Sequence, residues 1–364
     1  MESSTPHLQE HYKTIVIGAG PAGILAAHHA AQAGSVLLAE ANRLPRCKSC
    51  GGMLHEDTRR MLSEYAPIPE RIILKPATVL FRFHDWDRDI YKITDLKLLN
   101  VDRALFDDWL LSILPPEVEV ASECKVRSLT ETPSHVEAIF RTSTGNARIT
   151  CDYLVGADGS RSSVRRSIGT MDTEQYVTLQ DHVRIDGPIE SYFDCVYMRH
   201  ISKDYVYTYV VPKGETALVG SVFYPHSKRP WIAQDQIMKD LRKRMPELGP
   251  TLEREASTAL YVRTIDDVVP GRGRILLAGE AGGFLSPTSG EGISYAINSG
   301  RAAGMAVAAA QGANALSLYR NATATLRSTI ARKFRWLPVV ESEAGKYLAG
   351  YVPAPVVSRI THGL

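Results

Sequence analysis

Strong charge of either sign is missing from this chain. Its 364 residues carry 42 Lys+Arg against 40 Asp+Glu, a net charge of +2. So even a balance excludes nucleic acid as the main partner. Cysteine is scarce: Cys47, Cys50, Cys124, Cys151 and Cys195 are all there is. An odd, thin set in so long a chain is no secreted disulfide framework, which points to a reducing, cytoplasmic setting. Long greasy runs are missing too. The uncharged stretch 14–39 is interrupted by Gly18, Gly20, Gly23, His28, His29 and Gln32, and 302–319 is mostly Ala and Gly. Neither reads as a membrane span. The polar opening residues show no signal-peptide pattern. What remains, 44% hydrophobic and 23% charged, is an ordinary globular composition. At ~150 residues per domain the length predicts two or three domains.

The chain opens on a compact βαβ pattern. Residues 14–17 read as a buried strand, a glycine-rich turn leads into an Ala-rich helix ending near Ala33, and 36–39 form a second strand. The turn, Gly18-Ala-Gly20-Pro-Ala22-Gly23, matches GxGxxG between strand and helix. That spacing allows a tight turn, a close backbone approach to a diphosphate, and close helix–strand packing. Free N–H groups at the helix start then hold the phosphates. Glu40 ends the second strand about 20 residues on, where an acid accepts hydrogen bonds from an adenosine ribose. The motif predicts dinucleotide binding and does not distinguish FAD from NAD.

Further along, 77–83 and 89–94 read as strands and 101–114 as a helix ended by Pro115-Pro116. Residues 176–223 are rich in Tyr, Val and Thr in strand-length runs, predicting an antiparallel sheet. By alternation Tyr205, Tyr207 and Tyr209 share one face, either as sheet packing or as an aromatic wall over a substrate. Residues 232–246 form a basic amphipathic helix, 274–278 a buried strand, and 290–311 an Ala/Gly-rich helix whose 302–310 part packs closely on a sheet. His182 and His200 are isolated and read as satisfied structural residues. Arg327, Arg332, Lys333, Arg335 and Trp336 form a basic stretch, read as a solvated helix face or as a surface for anionic membrane. Cys47-x-x-Cys50 leaves a redox pair, one catalytic thiol or a buried structural thiol open. With no second CxxC or HxxxH, a structural metal is not expected.

Six later segments carry a resemblance. Tyr153-Leu-Val-Gly-Ala-Asp158-Gly159-Ser-Arg161 resembles the "DG" signature of the FAD-dependent p-hydroxybenzoate-hydroxylase fold. Arg274-Ile-Leu-Leu-Ala-Gly279-Glu280 resembles its "GD" signature, with Glu280 in place of Asp. Asn100-Val-Asp-Arg103-Ala-Leu-Phe106 is similar to the family's arginine-bearing helix start. Lys48-Ser49-Cys50-Gly51-Gly52 resembles the K-x-C-G-G loop of geranylgeranyl reductase-like flavoproteins. Tyr207-Thr-Tyr209-Val-Val-Pro212-Lys213-Gly214 is similar to their Y-x-W-x-F-P-K-G element, with Tyr209 for Trp and Val211 for Phe. Pro287-Thr-Ser-Gly290-Glu291-Gly292-Ile293 resembles the loop and helix beside the isoalloxazine.

The resemblance implies an α/β fold: a Rossmann-like, glutathione-reductase-type FAD-binding domain with an inserted antiparallel-sheet substrate domain. The expected division is 1–75, 100–172 and 264–330 for FAD, 76–99 and 173–263 for substrate, and 331–364 as a C-terminal helical segment. Expected cofactor contacts are Gly18, Gly20, Ala22, Gly23, Glu40, Ala41, Lys48, Cys50, Gly51, Arg103, Asp158, Gly279, Glu280, Gly290, Gly292 and Ile293. Expected catalytic residues are Cys50, Tyr207 and Tyr209. The cofactor is FAD, the electron donor external, such as NAD(P)H, and the substrate an apolar or aromatic small molecule. A protein partner or a membrane surface is a further candidate. The expected reaction is C=C reduction. The alternatives are a monooxygenase acting through a flavin C4a-hydroperoxide on an aromatic group, free or within a partner protein, and a non-catalytic flavin-binding partner protein.

Overall fold

The structure, a computed structural model, describes residues 8–46, 48–170, 173–312, 314–349 and 351–356. Cys47 lies outside the described residues, so its pairing with Cys50 carries no structural account.

Two eight-stranded sheets organise the chain. In the first, His11–Ile17 runs parallel to Val36–Ala39 on one side and to Gly145–Gly156 on the other. Ile275–Leu277 and Val118–Ala121 extend the parallel set outward. Every residue of Val36–Ala39 is buried, as expected of a parallel strand covered on both faces. Helices Pro21–Ala30 and Ile293–Ala308 cover one face. An antiparallel meander, Lys125–Glu131 and Val136–Thr142, covers the other with Val126, Val136 and Phe140.

The second sheet gathers Ile73–Asp85 and Ile90–Val101 with five strands between Gln175 and Leu260, and the short Met53–Leu54 joins its edge. It is antiparallel save for one seam, where Tyr192–Tyr197 runs parallel to Ile73–Asp85. Those strands come from two separate stretches of chain joined through the first sheet, and a crossover of that length permits parallel pairing. One face of this sheet packs on helix Pro230–Arg244 through Val183, Val210, Ile237 and Leu241. The opposite face carries Val79, Leu98, Tyr209, Val211 and Leu218, with Phe193 and Tyr207 against them.

Alternation fails at Tyr205. A register shift lies between Tyr205 and Tyr207, which pair with the adjacent Phe223 and Val222. The extra residue, Val206, forms a bulge. Tyr205 therefore joins the helix-side cluster, stacks on Tyr197 at 6.2 Å, and donates to the Val196 carbonyl. Only Tyr207 and Tyr209 share the other face.

The Ala/Gly-rich helix does pack closely. A Cβ at Gly300 or Gly304 would run into the carbonyl of Ala22 or Ala26 on the neighbouring helix. Crowding of this kind costs ~1–3 kcal/mol. Gly304→Ala is therefore expected to lower unfolding stability by that amount in chemical denaturation. An unchanged midpoint would show that the two helices do not cross there.

Candidate active site

The carboxyl ends of the parallel strands bring the three dinucleotide signatures together. Gly18 has φ +101°, and a Cβ there would sit 2.5 Å from the Ala157 carbonyl oxygen, beside Asp158. Gly279 approaches Ala22 so closely that a Cβ would lie 2.8 Å from the alanine's own. Helix Pro21–Ala30 begins at Gly20 with no side-chain cap. The N–H groups of its first turn, Ala22 and Gly23 among them, therefore face the crevice where open α/β sheets take ligands. Only the far end of the Arg46 side chain stands near Gly20, 3.0 Å from where a Cβ would be. A glycine cradle closed off by one flexible cation fits an anionic diphosphate.

The acid at the second strand's end is already engaged. The Glu40 carboxylate accepts from Ala19 N–H at 3.0 Å and from Asn42 at 2.9 Å, and meets Arg46 Nε at 3.2 Å. Ala41 follows, exposed. Asp158 is held locally: it accepts from Ser162 Oγ, and from Ser163 N–H at 2.7 Å, which ties the helix Ser163–Ser167 to the strand end. Glu280 links distant segments, accepting from Leu260 N–H at 2.8 Å and pairing with Lys48 Nζ at 3.2 Å.

The segment Arg46–Gly52 runs between the two sheets, and almost every side chain in it grips a different element. Arg46 reaches Glu40 and, at 3.6 Å, Asp107. Lys48 takes Glu280, and Ser49 donates to Glu255, which also pairs with His182 at 3.2 Å. Cys50 lies against Arg103, whose guanidinium is bound two-pronged by Asp107 at 2.9 and 3.3 Å. Gly52 is gripped by Lys213, whose Nζ donates to Asn100 Oδ1 at 2.7 Å, Val101 O at 3.1 Å and Gly52 O at 3.4 Å. Arg46, Asp107 and Glu255 were not singled out from the sequence. The P-K-G tripeptide pointed at Lys213, but its target is visible only in three dimensions.

This loop faces the aromatic wall. A Cβ at Gly51 would be 3.2 Å from Phe193 and 3.8 Å from Tyr209. Phe193 stacks on Tyr209 at 5.1 Å and on Phe81 at 5.9 Å. Tyr209 Oη accepts from Gln180, and Tyr207 Oη donates to Ser289 O at 3.4 Å, with Gly290 adjacent. Gly292 precedes Ile293, the first residue of helix Ile293–Ala308. Gly290 thus borders the same aromatic wall that Gly51 faces.

The electrostatics single out Cys50. Burial pushes its thiol up, yet the Arg103 guanidinium, the Gly52 N–H and Lys48 together hold it below the ordinary value. Burial drives the other described thiols the opposite way, Cys124 to about 11 and Cys195 to about 12. Burial also raises Tyr207 and Tyr209, so both stay protonated phenols, and it brings the Lys213 ammonium down to about 7. His200 bridges Asp87 at 3.1 Å and Asp240 at 2.9 Å, away from this space in role. Among the described residues no helix is long and apolar enough to cross a membrane, and no cluster could hold a metal ion.

Residues 92–332 match the FAD binding domain family, well over half of the chain, and the chain belongs to that family. The protein is an FAD-dependent enzyme of the oxidoreductase and monooxygenase class. It is similar to protein CbrA of Escherichia coli (strain K12), 28% identical over 302 residues that cover 80% of this chain and 82% of CbrA. A geranylgeranyl bacteriochlorophyll reductase-like protein from Thermoplasma acidophilum shares the fold with a TM-score of 0.77 at 19% identity, over 98% of this chain and 92% of its own. The p-nitrophenol 4-monooxygenase PnpA from Pseudomonas putida does so with a TM-score of 0.66 at 17% identity, over 97% and 93%. These two show the fold alone, which hosts more than one reaction.

The lowered Cys50 thiol has a direct readout. Alkylation follows the thiolate, so the pH–rate curve for iodoacetamide labelling of Cys50, mapped by mass spectrometry, should have its midpoint below that of an ordinary thiol. Arg103→Gln should move the midpoint up. A midpoint unmoved by that change would remove Arg103 as the cause.

Proposed function

We propose that the protein saturates C=C bonds of an apolar, unsaturated small molecule, using reducing equivalents from an external donor such as NAD(P)H. One observation carries this reading: the acidified thiol of Cys50 lies beside the wall of Phe193, Tyr207 and Tyr209. An aromatic wall holds an apolar chain without hydrogen bonding it, and a thiol whose thiolate is stabilised by Arg103 can release a proton and take one back. The similarity to a reductase-like protein agrees with it.

In this reading Gly18, Gly20, Ala22 and Gly23 hold the FAD diphosphate at the helix start, and Glu40 with Ala41 the adenosine ribose. Arg103, Asp158, Gly279 and Glu280 support the middle of the cofactor. Lys48, Cys50, Gly51, Gly290, Gly292 and Ile293 surround its ring. Bound FAD supplies the hydride chemistry. The chain's residues do the rest. The wall orients the double bond, and the loop Lys48–Gly52 excludes water. Cys50 Sγ gives a proton to the carbon beside the one that gains hydride, and takes a proton back from solvent. Arg103 holds the resulting thiolate. Tyr207 and Tyr209, kept protonated, act by contact and as hydrogen-bond donors.

Turnover of unsaturated prenyl compounds under isotopically labelled oxygen tests the reaction class. Reduction yields a product gaining one pair of hydrogens and no labelled oxygen. Labelled oxygen in an aromatic product, free or on a partner protein's side chain, would replace this reading with hydroxylation. Cys50→Ala should keep FAD and lose about 10²–10⁴-fold in saturation rate; unchanged kinetics would make Cys50 structural. Gly20→Val puts its branches toward the diphosphate, not into packed protein, so it should fold and retain no FAD. Retention of the yellow cofactor would move the diphosphate elsewhere.

A further inference from the structure

The basic stretch near the C-terminus does not behave as one surface. Arg332, Arg335 and Trp336 are exposed, but Lys333, on helix Ala324–Phe334, is only 4% exposed. It points inward, beneath the Ser286–Gly292 loop. Its Nζ donates to Ser286 Oγ at 3.2 Å and stands 5.6 Å from the centre of the Tyr295 ring. Ser286 is itself a hub of that loop: its N–H donates to the Glu291 carbonyl at 2.8 Å, and its carbonyl accepts from Gly290 N–H at 2.9 Å. A buried ammonium is costly unless a charge or dipole offsets it. Here burial brings Lys333 down to about 8 against the pull of Glu291.

Glu291 makes the placement informative. Its carboxylate accepts from Ser294 N–H at 2.9 Å and Ser294 Oγ at 2.6 Å, at the first turn of helix Ile293–Ala308. A helix start favours negative charge in a ligand, but a carboxylate already seated there opposes it. Lys333, held on the same loop through Ser286, is the cation whose charge that carboxylate sustains. Among the described residues Tyr295 and His55 also titrate beside this pair, and burial holds the His55 imidazole below its ordinary value.

We propose that Lys333 is a positioning residue for the flavin: through Ser286 it fixes the Ser286–Gly292 loop, and its charge offsets Glu291 so that reduced, negatively charged flavin is favoured. This rests on the reading that the flavin ring lies against that loop. Lys333 lies just beyond residues 92–332 of the family match, and its burial and its partner distinguish it from its exposed neighbours.

The test is the midpoint potential of the bound flavin, measured near neutral pH by equilibration with a reference dye. It compares FAD-loaded wild type with Lys333→Met, Lys333→Arg and Glu291→Gln. Lys333→Met should weaken the preference for reduced flavin about tenfold, about 30 mV more negative for a two-electron couple. Lys333→Arg should stay within about twofold, and Glu291→Gln should shift the potential the opposite way. A purely structural role gives no reason for opposite signs. Should Lys333→Met fail to fold, an unmoved potential in Glu291→Gln overturns the proposal by itself. Folded, FAD-loaded variants with unmoved or same-sign potentials overturn it alone. Wild-type protein that takes up no FAD overturns the flavin-site reading with it.

Discussion

Everything at the crevice depends on how closely the first turn of the chain can approach the strand beside it. Gly18 lies where a Cβ would meet the Ala157 carbonyl oxygen, and Gly279 where one would meet Ala22. Three segments far apart in sequence are thereby drawn to one point at the carboxyl ends of parallel strands. A side chain at either glycine would separate them and close the space above the helix start. The buried, branched strands set the sheet; the missing Cβ atoms decide that its end is a binding crevice and not a packed edge.

The segment Arg46–Gly52 is the second constraint, because it is the seam between the two sheets. It has little regular structure, yet Lys48, Ser49, Cys50 and Gly52 are tied respectively to Glu280, Glu255, Arg103 and Lys213. Two of those partners lie on the second sheet and two on the crevice side. A loop so anchored can hold a thiol at a defined place against an aromatic wall. Preorganisation of this kind comes from the surrounding shell more than from the thiol itself.

Local signals were legible in the sequence, and tertiary ones were not. The GxGxxG turn, the strand ends at Asp158 and Gly279, and the helix start at Arg103 are defined by spacing within a few residues, and the structure places them on those elements. Tyr205 was misread because alternation assumes an unbroken strand, and nothing in Tyr-Val-Tyr-Thr-Tyr marks Val206 as a bulge. Lys333 was misread because three basic neighbours look alike until packing selects one. The links of Arg46 to Asp107 and of Ser49 to Glu255 were invisible for a related reason: the partners lie far apart in sequence, and no spacing pattern reports such a pairing.

The two buried lysines show why charge placement, more than fold, differentiates this site. Lys213 places its three protons on Asn100, Val101 and Gly52, all neutral oxygens, and burial brings its ammonium down to about 7. Its hydrogen bonds make it a strut between the loop and the second sheet. Lys333 has Glu291 to sustain its charge and keeps a higher pKa, about 8 against about 7. With the role proposed for Lys333, one lysine serves mainly geometry and the other mainly potential. A fold shared with a reductase-like protein and with a monooxygenase supplies neither feature. The chemistry is set by where these charges fall around Cys50 and the Ser286–Gly292 loop.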